Sequence, residues 1–193
     1  MTESQENRLQ ERQLVADVLA HREGAFTVLV ERYQRLVWHL VYRMVQHPED
    51  CRELSQEVFL RVHRYLRQFR FDSSLATWIG RIAYHVSIRH LQRRQLPIVE
   101  PDEEQTSPVE LLADDFDLAA ACANQQLMAS LHQAMAELSP LSRTVLTLYY
   151  LEEMSVNDIA AITEKPEGTI KNALFRARHQ LRTQCEKMGV FNE

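Results

Sequence analysis

Hydrophobic side chains recur every three or four residues along most of this chain, a period that is typical of helices. In the N-terminal half the pattern predicts four helices. The first carries an apolar stripe around Val15, the second runs from Ala25 to Val45, the third starts at Pro48, and the fourth runs from Leu75 to Arg94. Turn-forming and capping residues separate these segments, so we expect a helical domain.

Each helix has positions that we expect to be buried. On the second helix they are Phe26, Leu29, Val30, Tyr33, Val37, Leu40, Val41 and Met44. On the third helix the expected core residues are Leu54, Val58, Leu60, Val62 and Leu66, beside a polar flank of Glu53, Gln56 and Glu57. On the fourth helix Trp78 has two interpretations, a core residue or a wedge between bases, and we prefer the core residue.

The last quarter of the chain has the pattern of a helix-turn-helix. Ser139 can cap a helix that starts with proline, and Ser155 with Asp158 resembles a capping box that opens a second, short helix. A turn over Thr163–Gly168, which contains proline and glycine, then leads into a third helix from Thr169. The close spacing of the last two helices is typical of DNA-binding proteins.

Basic residues are concentrated on this last helix. Between Lys165 and Arg182 there are five Lys/Arg residues and one acid, so the segment carries +4 in a chain whose net charge is −5. Such a concentration of positive charge suits contact with phosphates. A solvated helix of an ordinary bundle could show the same periodicity, but the short turn and the reversal of charge favour DNA binding.

Composition excludes several classes of protein. The chain has 193 residues, of which 45% are hydrophobic and only four are glycine, so it is long enough for one or two helical cores. It has no apolar run that could span a membrane and its first residues are polar, so we expect a soluble cytoplasmic protein without membrane insertion. Its cysteines, Cys51, Cys122 and Cys185, are scattered and odd in number, which favours reduced thiols.

The distribution of charge indicates two domains. Residues 1–95 hold fifteen Arg and eleven acids, residues 96–124 hold eight acids and no Lys or Arg, and residues 125–193 hold seven bases and eight acids. The start of the middle segment is rich in proline and lacks sustained periodicity, which is typical of an extended or mobile linker. We therefore expect an all-α chain with helical domains at 1–95 and 125–193, joined by an acidic linker at 96–124.

Three stretches of the sequence together resemble a known family. They are Cys51-Arg52-Glu53-Leu54-Ser55-Gln56-Glu57-Val58-Phe59-Leu60-Arg61, Trp78-Ile79-Gly80-Arg81-Ile82-Ala83, and Gly168-Thr169-Ile170-Lys171 with Arg176-Ala177-Arg178 and Leu181-Arg182. In this order and spacing they resemble the signatures of bacterial extracytoplasmic-function sigma factors, group IV of the sigma-70 family. The resemblance covers roughly Ala25 to Arg182 and implies two conserved domains only, sigma region two and sigma region four.

The resemblance implies an alternative sigma factor, which directs RNA polymerase to the minus-ten and minus-thirty-five elements of promoters. The implied partners are core RNA polymerase, through the β′ clamp helices and the β flap, promoter DNA, and an anti-sigma factor. By resemblance, the third helix docks on the clamp helices through Glu53, Leu54, Gln56, Glu57 and Phe59. The same residues could instead be no more than a solvated helix face.

The resemblance also assigns DNA contacts to two further helices. The loop before the fourth helix and that helix itself correspond to the part of the family that opens the minus-ten element, with candidate residues Phe71, Arg81, Tyr84, His85 and Arg89. Basic groups suit single-strand phosphates, and aromatic rings suit exposed bases. The candidates for the minus-thirty-five element are Thr169, Lys171, Asn172, Phe175 and Arg176, of which Phe175 could equally be a core residue.

No catalytic constellation competes with this interpretation. His85 and His90 are five residues apart, and His179 and Cys185 six, so neither pair shares one helical turn as a metal pair would. The sequence has no glycine-rich phosphate loop and no nucleophile elbow. We therefore expect no metal, no cofactor and no enzymatic activity.

Two other classes of protein remain open. One is an autonomous helix-turn-helix repressor or activator with a helical sensor or dimerisation domain, which would bind a palindrome as a homodimer. The other is an enzyme or a purely structural helical protein. A sigma factor differs from both because it binds DNA weakly by itself and initiates transcription only with core polymerase.

Overall fold

The computed structural model describes residues 3–94 and 133–187. Within these ranges the helices are α1 (Glu3–Leu19), α2 (Ala25–Val45), α3 (Pro48–Tyr65), α4 (Leu75–Arg93), α5 (Pro140–Tyr150), α6 (Val156–Thr163) and α7 (Glu167–Lys187). A short 3-10 helix, Leu66–Gln68, follows α3. The chain divides into two compact units, one built on α1 to α4 and the other on α5, α7 and most of α6.

This architecture confirms the predicted all-α class with two helical regions. The acidic linker predicted at 96–124 lies outside the described residues, and the exact domain limits stay a prediction. Residues 133–136 form one helical turn ahead of α5.

Helices α3 and α4 begin where the sequence predicts, each with a side-chain cap. Proline occupies the first turn of α3, and the Nδ1 atom of His47 accepts a hydrogen bond from the backbone N–H of Asp50 at 3.5 Å. At the start of α4 the hydroxyl of Ser74 accepts one from the N–H of Thr77 at 3.0 Å. Each cap satisfies a backbone donor that the helix itself cannot pair. The predicted starts of these helices are therefore confirmed.

The core of the first unit is centred on α2, which packs against α1, α3 and α4. Its buried residues are Ala25, Leu29, Tyr33, Leu36, Val37, Leu40, Val41 and Met44. Burying a side chain such as Leu29 or Leu40 contributes about 1.5–3 kcal/mol. The unit is therefore held together mainly by one face of one helix.

Leu60 departs furthest from the expected core of α3, and Leu54 is half-buried. Leu60 was predicted to be buried, but it is 66% exposed. The buried residues of α3 are Cys51, Val58 and Val62. Leu60 lies two residues from both valines, which is about 200° around a helix of 3.6 residues per turn. The prediction for Leu60 is wrong because residues two apart cannot share one helical face.

The second unit begins with a buried arginine that ties α5 to the preceding turn. Arg143 is almost fully buried, and its Nη1 atom donates to the carbonyl oxygens of Ala136 and Leu138 at 2.9 and 2.8 Å. The hydroxyl of Ser139 accepts from the N–H of Ser142 at 3.1 Å and caps α5. Carbonyl groups at the end of one helical segment are thus satisfied by a side chain of the next.

The helix-turn-helix itself is built from α6 and α7. The hydroxyl of Ser155 accepts from the N–H of Asp158 at 3.1 Å and contacts its carboxylate at 2.6 Å, which confirms the predicted cap of α6. Helix α7 packs against α5. Its buried face consists of Ile170, Ala173, Leu174, Ala177 and Leu181.

The turn between α6 and α7 is shorter than predicted. Helix α6 continues through Thr163, and α7 begins at Glu167, so Gly168 lies inside a helix rather than in the turn. The turn residue is Glu164, which adopts a left-handed conformation with φ 56° and ψ 33°. The N–H of Lys165 donates to the carbonyl of Ala160 at 3.2 Å, a bond that closes helix ends of this kind.

Replacing Glu164 tests this geometry. A left-handed residue with a side chain is strained relative to glycine, so Glu164→Gly should stabilise the α6–α7 turn by about 0.5–1 kcal/mol relative to Glu164→Ala. The alanine variant is a matched control because both changes remove the same carboxylate. Hydrogen exchange of the α6 and α7 amides measures the difference. Equal protection in the two variants would contradict the assignment of Glu164 as the turn residue.

Candidate polymerase and nucleic-acid interfaces

The outward face of α3 carries the residues predicted to bind polymerase. Glu53 and Gln56 are exposed, whereas Leu54, Glu57 and Phe59 are half-buried. The carboxylate of Glu57 pairs with the Nε atom of an arginine one turn later, Arg61, at 2.6 Å. The face is therefore mixed in character, with carboxylates beside apolar groups.

A groove of about 770 Å³ lies between α2 and α3. We call it the docking groove, and it is lined by Phe26, Val30, Gln34, Arg35, Trp38, Arg52, Ser55, Gln56, Phe59 and Leu60. Five of the ten side chains are aromatic or aliphatic and five are polar, two of them arginines, and most of the lining surface is apolar. An exposed apolar surface of this kind, edged by polar groups, is typical of a protein interaction site.

Leu60 lines the docking groove, which also contains residues that were not among the predicted polymerase contacts. Of the predicted set it includes Gln56 and Phe59, and it leaves out Glu53, Leu54 and Glu57. The other eight lining residues were not predicted to bind polymerase, and they include the large apolar side chains of Trp38 and Leu60. The sequence does carry a signal for this groove, because the apolar residues of α2 extend beyond the face of that helix that is buried.

The exposed face of α4 carries a stripe of basic groups. Arg81, His85 and Arg89 are spaced four residues apart, and all three are exposed, so they lie on one side of the helix. Tyr84 does not belong to this stripe, since it is only 6% exposed and its ring meets that of His85 edge-on at 6.0 Å. The ring of Tyr84 is therefore covered in this structure, and its role in the minus-ten contact stays a prediction.

The loop before α4 holds a cluster of aromatic rings. The ring of Phe69, which is buried, lies 5.4 Å from that of Trp78 and 4.6 Å from that of Phe71. Trp78 is half-buried and packs in this cluster, in line with the preferred interpretation of that residue. Phe71 is 38% exposed and has a positive φ of 62°. The guanidinium carbon of Arg12, from α1, lies 5.1 Å from the centroid of the Phe71 ring.

Helix α7 separates apolar and polar residues onto opposite faces. Opposite its buried face lie the candidates for the minus-thirty-five element: Lys171 and Arg176 are exposed, while Thr169, Asn172 and Phe175 are half-buried. The Nζ atom of Lys171 lies 3.5 Å from a carboxylate oxygen of Glu167, and both side chains are more than half exposed. Such an exposed pair is weak, so the lysine can exchange this partner for a phosphate.

The remaining candidates for chemistry are metal-ligating groups and cysteine thiols. Among residues 3–94 and 133–187, no group of three or more His, Cys, Asp or Glu could hold a metal ion. Cys51 is a free buried thiol, as predicted, and burial raises its pKa. The side chains of Cys122 and Cys185 lie outside the described part of the chain. Of the helices just described, none is long and apolar enough to cross a membrane.

Comparison with known proteins decides the family. Residues 29–96 match sigma-70 region 2, and residues 128–181 match sigma-70 region 4. The RNA polymerase sigma-H factor of Pseudomonas aeruginosa is 32% identical over 177 residues, which cover 89% of this chain and 92% of that protein. The ECF RNA polymerase sigma-E factor of Escherichia coli K12 is 31% identical over 186 residues, which cover 91% and 97%. This chain belongs to the extracytoplasmic-function sigma factors.

A solved structure has the same fold. The sigma factor RpoE of Bartonella quintana, determined in complex with the anti-sigma factor NepR, matches with a TM-score of 0.64 at 18% identity. The match covers 84% of this chain and 98% of the other. At this level of identity the likeness concerns the fold alone.

Family membership selects among the three classes of function that the sequence left open. The chain is an alternative sigma factor, which binds core RNA polymerase and promoter DNA and directs promoter-specific initiation of transcription. Its first unit is sigma region two and its second unit is sigma region four.

Proposed function

We propose that this sigma factor docks on the β′ clamp helices of core RNA polymerase through the docking groove and the polar face of α3 beside it. The observation that carries the proposal is the exposure of Leu60 within an apolar groove, next to Glu53 and Gln56. A leucine on a helix surface gains free energy only when a partner covers it. An apolar centre with a polar rim is also the usual anatomy of a protein interface.

The two parts of this surface contribute differently to docking. Burial of an apolar side chain such as Leu60 or Phe59 supplies affinity, at about 1.5–3 kcal/mol when it is complete. Charges at the rim, such as Glu53, mainly steer the encounter and set the orientation of the partners. We therefore expect substitutions in the groove to shorten the lifetime of the holoenzyme, and rim substitutions to slow its formation.

Leu60→Gln separates docking from folding. Because Leu60 is already exposed, the change should leave the fold intact but weaken binding to core polymerase by about tenfold, since it removes an apolar contact from the interface. Leu9→Gln is the matched control, because Leu9 is 63% exposed and lies on α1, away from the groove lining. Titration of the labelled full-length chain with core polymerase measures both affinities. The docking proposal fails if the two variants bind equally well.

We propose two DNA contacts for the holoenzyme. In region two, the stripe of Arg81, His85 and Arg89 follows single-strand phosphates of the minus-ten element, and Phe71 offers a ring to an unpaired base. In region four, the outward face of α7 enters the major groove at the minus-thirty-five element. There Lys171 and Arg176 suit phosphate or guanine, and Asn172 suits adenine.

The salt dependence of promoter binding tests the contact at Lys171. If this side chain neutralises one phosphate, Lys171→Ala should lower the slope of log affinity against log salt by about 0.9. Lys187→Ala removes the same charge from the last turn of α7 and should leave the slope unchanged. Binding of holoenzyme to one promoter at several salt concentrations gives both slopes. Identical slopes for the two variants would refute a phosphate contact at Lys171.

We also propose that an anti-sigma factor covers the docking groove while the protein is idle, because an exposed apolar surface otherwise invites non-specific association. On this proposal the protein acts in the cytoplasm beside RNA polymerase. The polymerase performs the chemistry of RNA synthesis, so the sigma factor is not an enzyme and needs no cofactor.

Run-off transcription tests the activity as a whole. Core polymerase with the full-length chain should initiate from a subset of templates in a promoter library and yield products of defined length, whereas core polymerase alone should not. The promoters recovered in this way serve as templates for the other measurements. Equal transcription with and without the chain would refute promoter-directed initiation by this protein.

A further inference from the structure

A buried carboxylate of α1 holds the start of α4. Glu11 is only 6% exposed, and it accepts hydrogen bonds from the hydroxyl of Tyr33 at 3.2 Å and from the backbone N–H of Leu75 at 3.3 Å. Leu75 is the first residue of α4, whose N–H groups have no partner within the helix. A carboxylate is favoured at this positive end of the helix. Burial and the Glu11 carboxylate raise the pKa of Tyr33, so its hydroxyl stays protonated as a donor.

The next residue of α1 holds the loop that precedes α4. The guanidinium carbon of Arg12 lies 5.1 Å from the centroid of the Phe71 ring, within the range of a cation–π contact. Phe71 has a φ of 62°, which is rare for a bulky residue and requires support from its surroundings. That support comes from Arg12 on α1 and from the ring of Phe69, 4.6 Å away.

These contacts fix both parts of the segment that bears Phe71. Glu11 holds the first N–H of α4, while Arg12 and Phe69 hold the ring itself. With 38% of its surface exposed, Phe71 is accessible, and its contacts with Arg12 and Phe69 favour one orientation of the ring. A ring held at one angle binds an unpaired base at a lower entropic cost than a mobile one.

We propose that Arg12 is a positioning residue for promoter opening: it holds the Phe71 ring in the orientation in which an unpaired base of the minus-ten element stacks on it. The proposal rests on the proposed role of Phe71 in the minus-ten contact. An exposed cation–π contact shifts a conformational population by about two- to fivefold, so the expected effect on opening is of that size.

The first experiment measures the rate of promoter opening by the holoenzyme. The probe is 2-aminopurine placed in the minus-ten element of a promoter recovered by run-off transcription. Arg12→Ala should slow opening by about two- to fivefold, and Arg12→Lys, which retains a cation, should restore part of the rate. Arg8→Ala removes the same charge from an exposed position of α1 and should open the promoter at the normal rate. Equal rates for Arg12→Ala and Arg8→Ala overturn the proposal.

The second experiment asks whether Arg12 acts through Phe71. Phe71→Ala should slow opening by itself, and Arg12→Ala should cause no further loss in that background, because the two residues then share one function. If the double variant instead loses the product of the two single losses in opening rate, Arg12 acts independently of Phe71, either by contacting a phosphate or by stabilising the fold. That outcome refutes the positioning role.

The outcome for Phe71→Ala alone separates this proposal from the one on which it rests. A normal opening rate for that variant refutes the minus-ten role of Phe71, and the positioning role of Arg12 with it. Slow opening by Phe71→Ala together with independent losses refutes only the positioning role. Binding of each variant to core polymerase should be unchanged, since neither residue lines the docking groove.

Discussion

Burial of one face of α2 is the interaction on which region two of this sigma factor depends. Helices α1, α3 and α4 all pack against α2, and the side chains of Leu29, Val37, Leu40 and Val41 have no exposed surface. The remaining apolar residues of α2, including Phe26 and Trp38, extend beyond this face and are only half-buried. They become one wall of the docking groove, so the helix that holds the fold together also supplies the polymerase-binding surface proposed here.

A second constraint is that the polar backbone groups at helix ends need partners. In region two Glu11 of α1 pairs with the N–H of Leu75 at the start of α4, and in region four Arg143 of α5 pairs with the carbonyl groups of Ala136 and Leu138. Both side chains are buried; Glu11 joins residues 64 apart in the chain, whereas Arg143 joins residues seven and five apart. The positioning role that we propose for Arg12 is of the same kind, since that side chain contacts the Phe71 ring from α1.

Much of the fold could be predicted from the sequence because local signals agree with it. Helical periodicity and the caps at Ser74, Ser139 and Ser155 predict most helix starts to within one or two residues of where the structure has them. The turn before α7 was mispredicted because glycine and proline are strong turn signals, whereas the residue that adopts the left-handed conformation is Glu164. Nothing local in the sequence distinguishes that glutamate from its neighbours.

The candidate sites could be predicted only in part, for a different physical reason. Periodicity indicates which residues share a face, but not what covers that face. Leu60 was therefore assigned to the core although it is exposed, and Tyr84, a candidate for the DNA surface, is buried. The contact of Arg12 with Phe71 joins residues that are far apart in sequence, so no local pattern reveals it. Family resemblance supplied the roles of the helices, and only the coordinates show which side chains can fill them.

Crosslinking within the holoenzyme tests most directly whether the α2–α3 groove is the polymerase-docking surface. A photoreactive p-benzoylphenylalanine placed at position 60 of the full-length chain would occupy the groove in the assembled complex. We expect a crosslink to the clamp helices of the β′ subunit, mapped by mass spectrometry, and none to that segment from the same group at position 9. A crosslink from position 60 to another part of the polymerase, or none at all in an active holoenzyme, would contradict it.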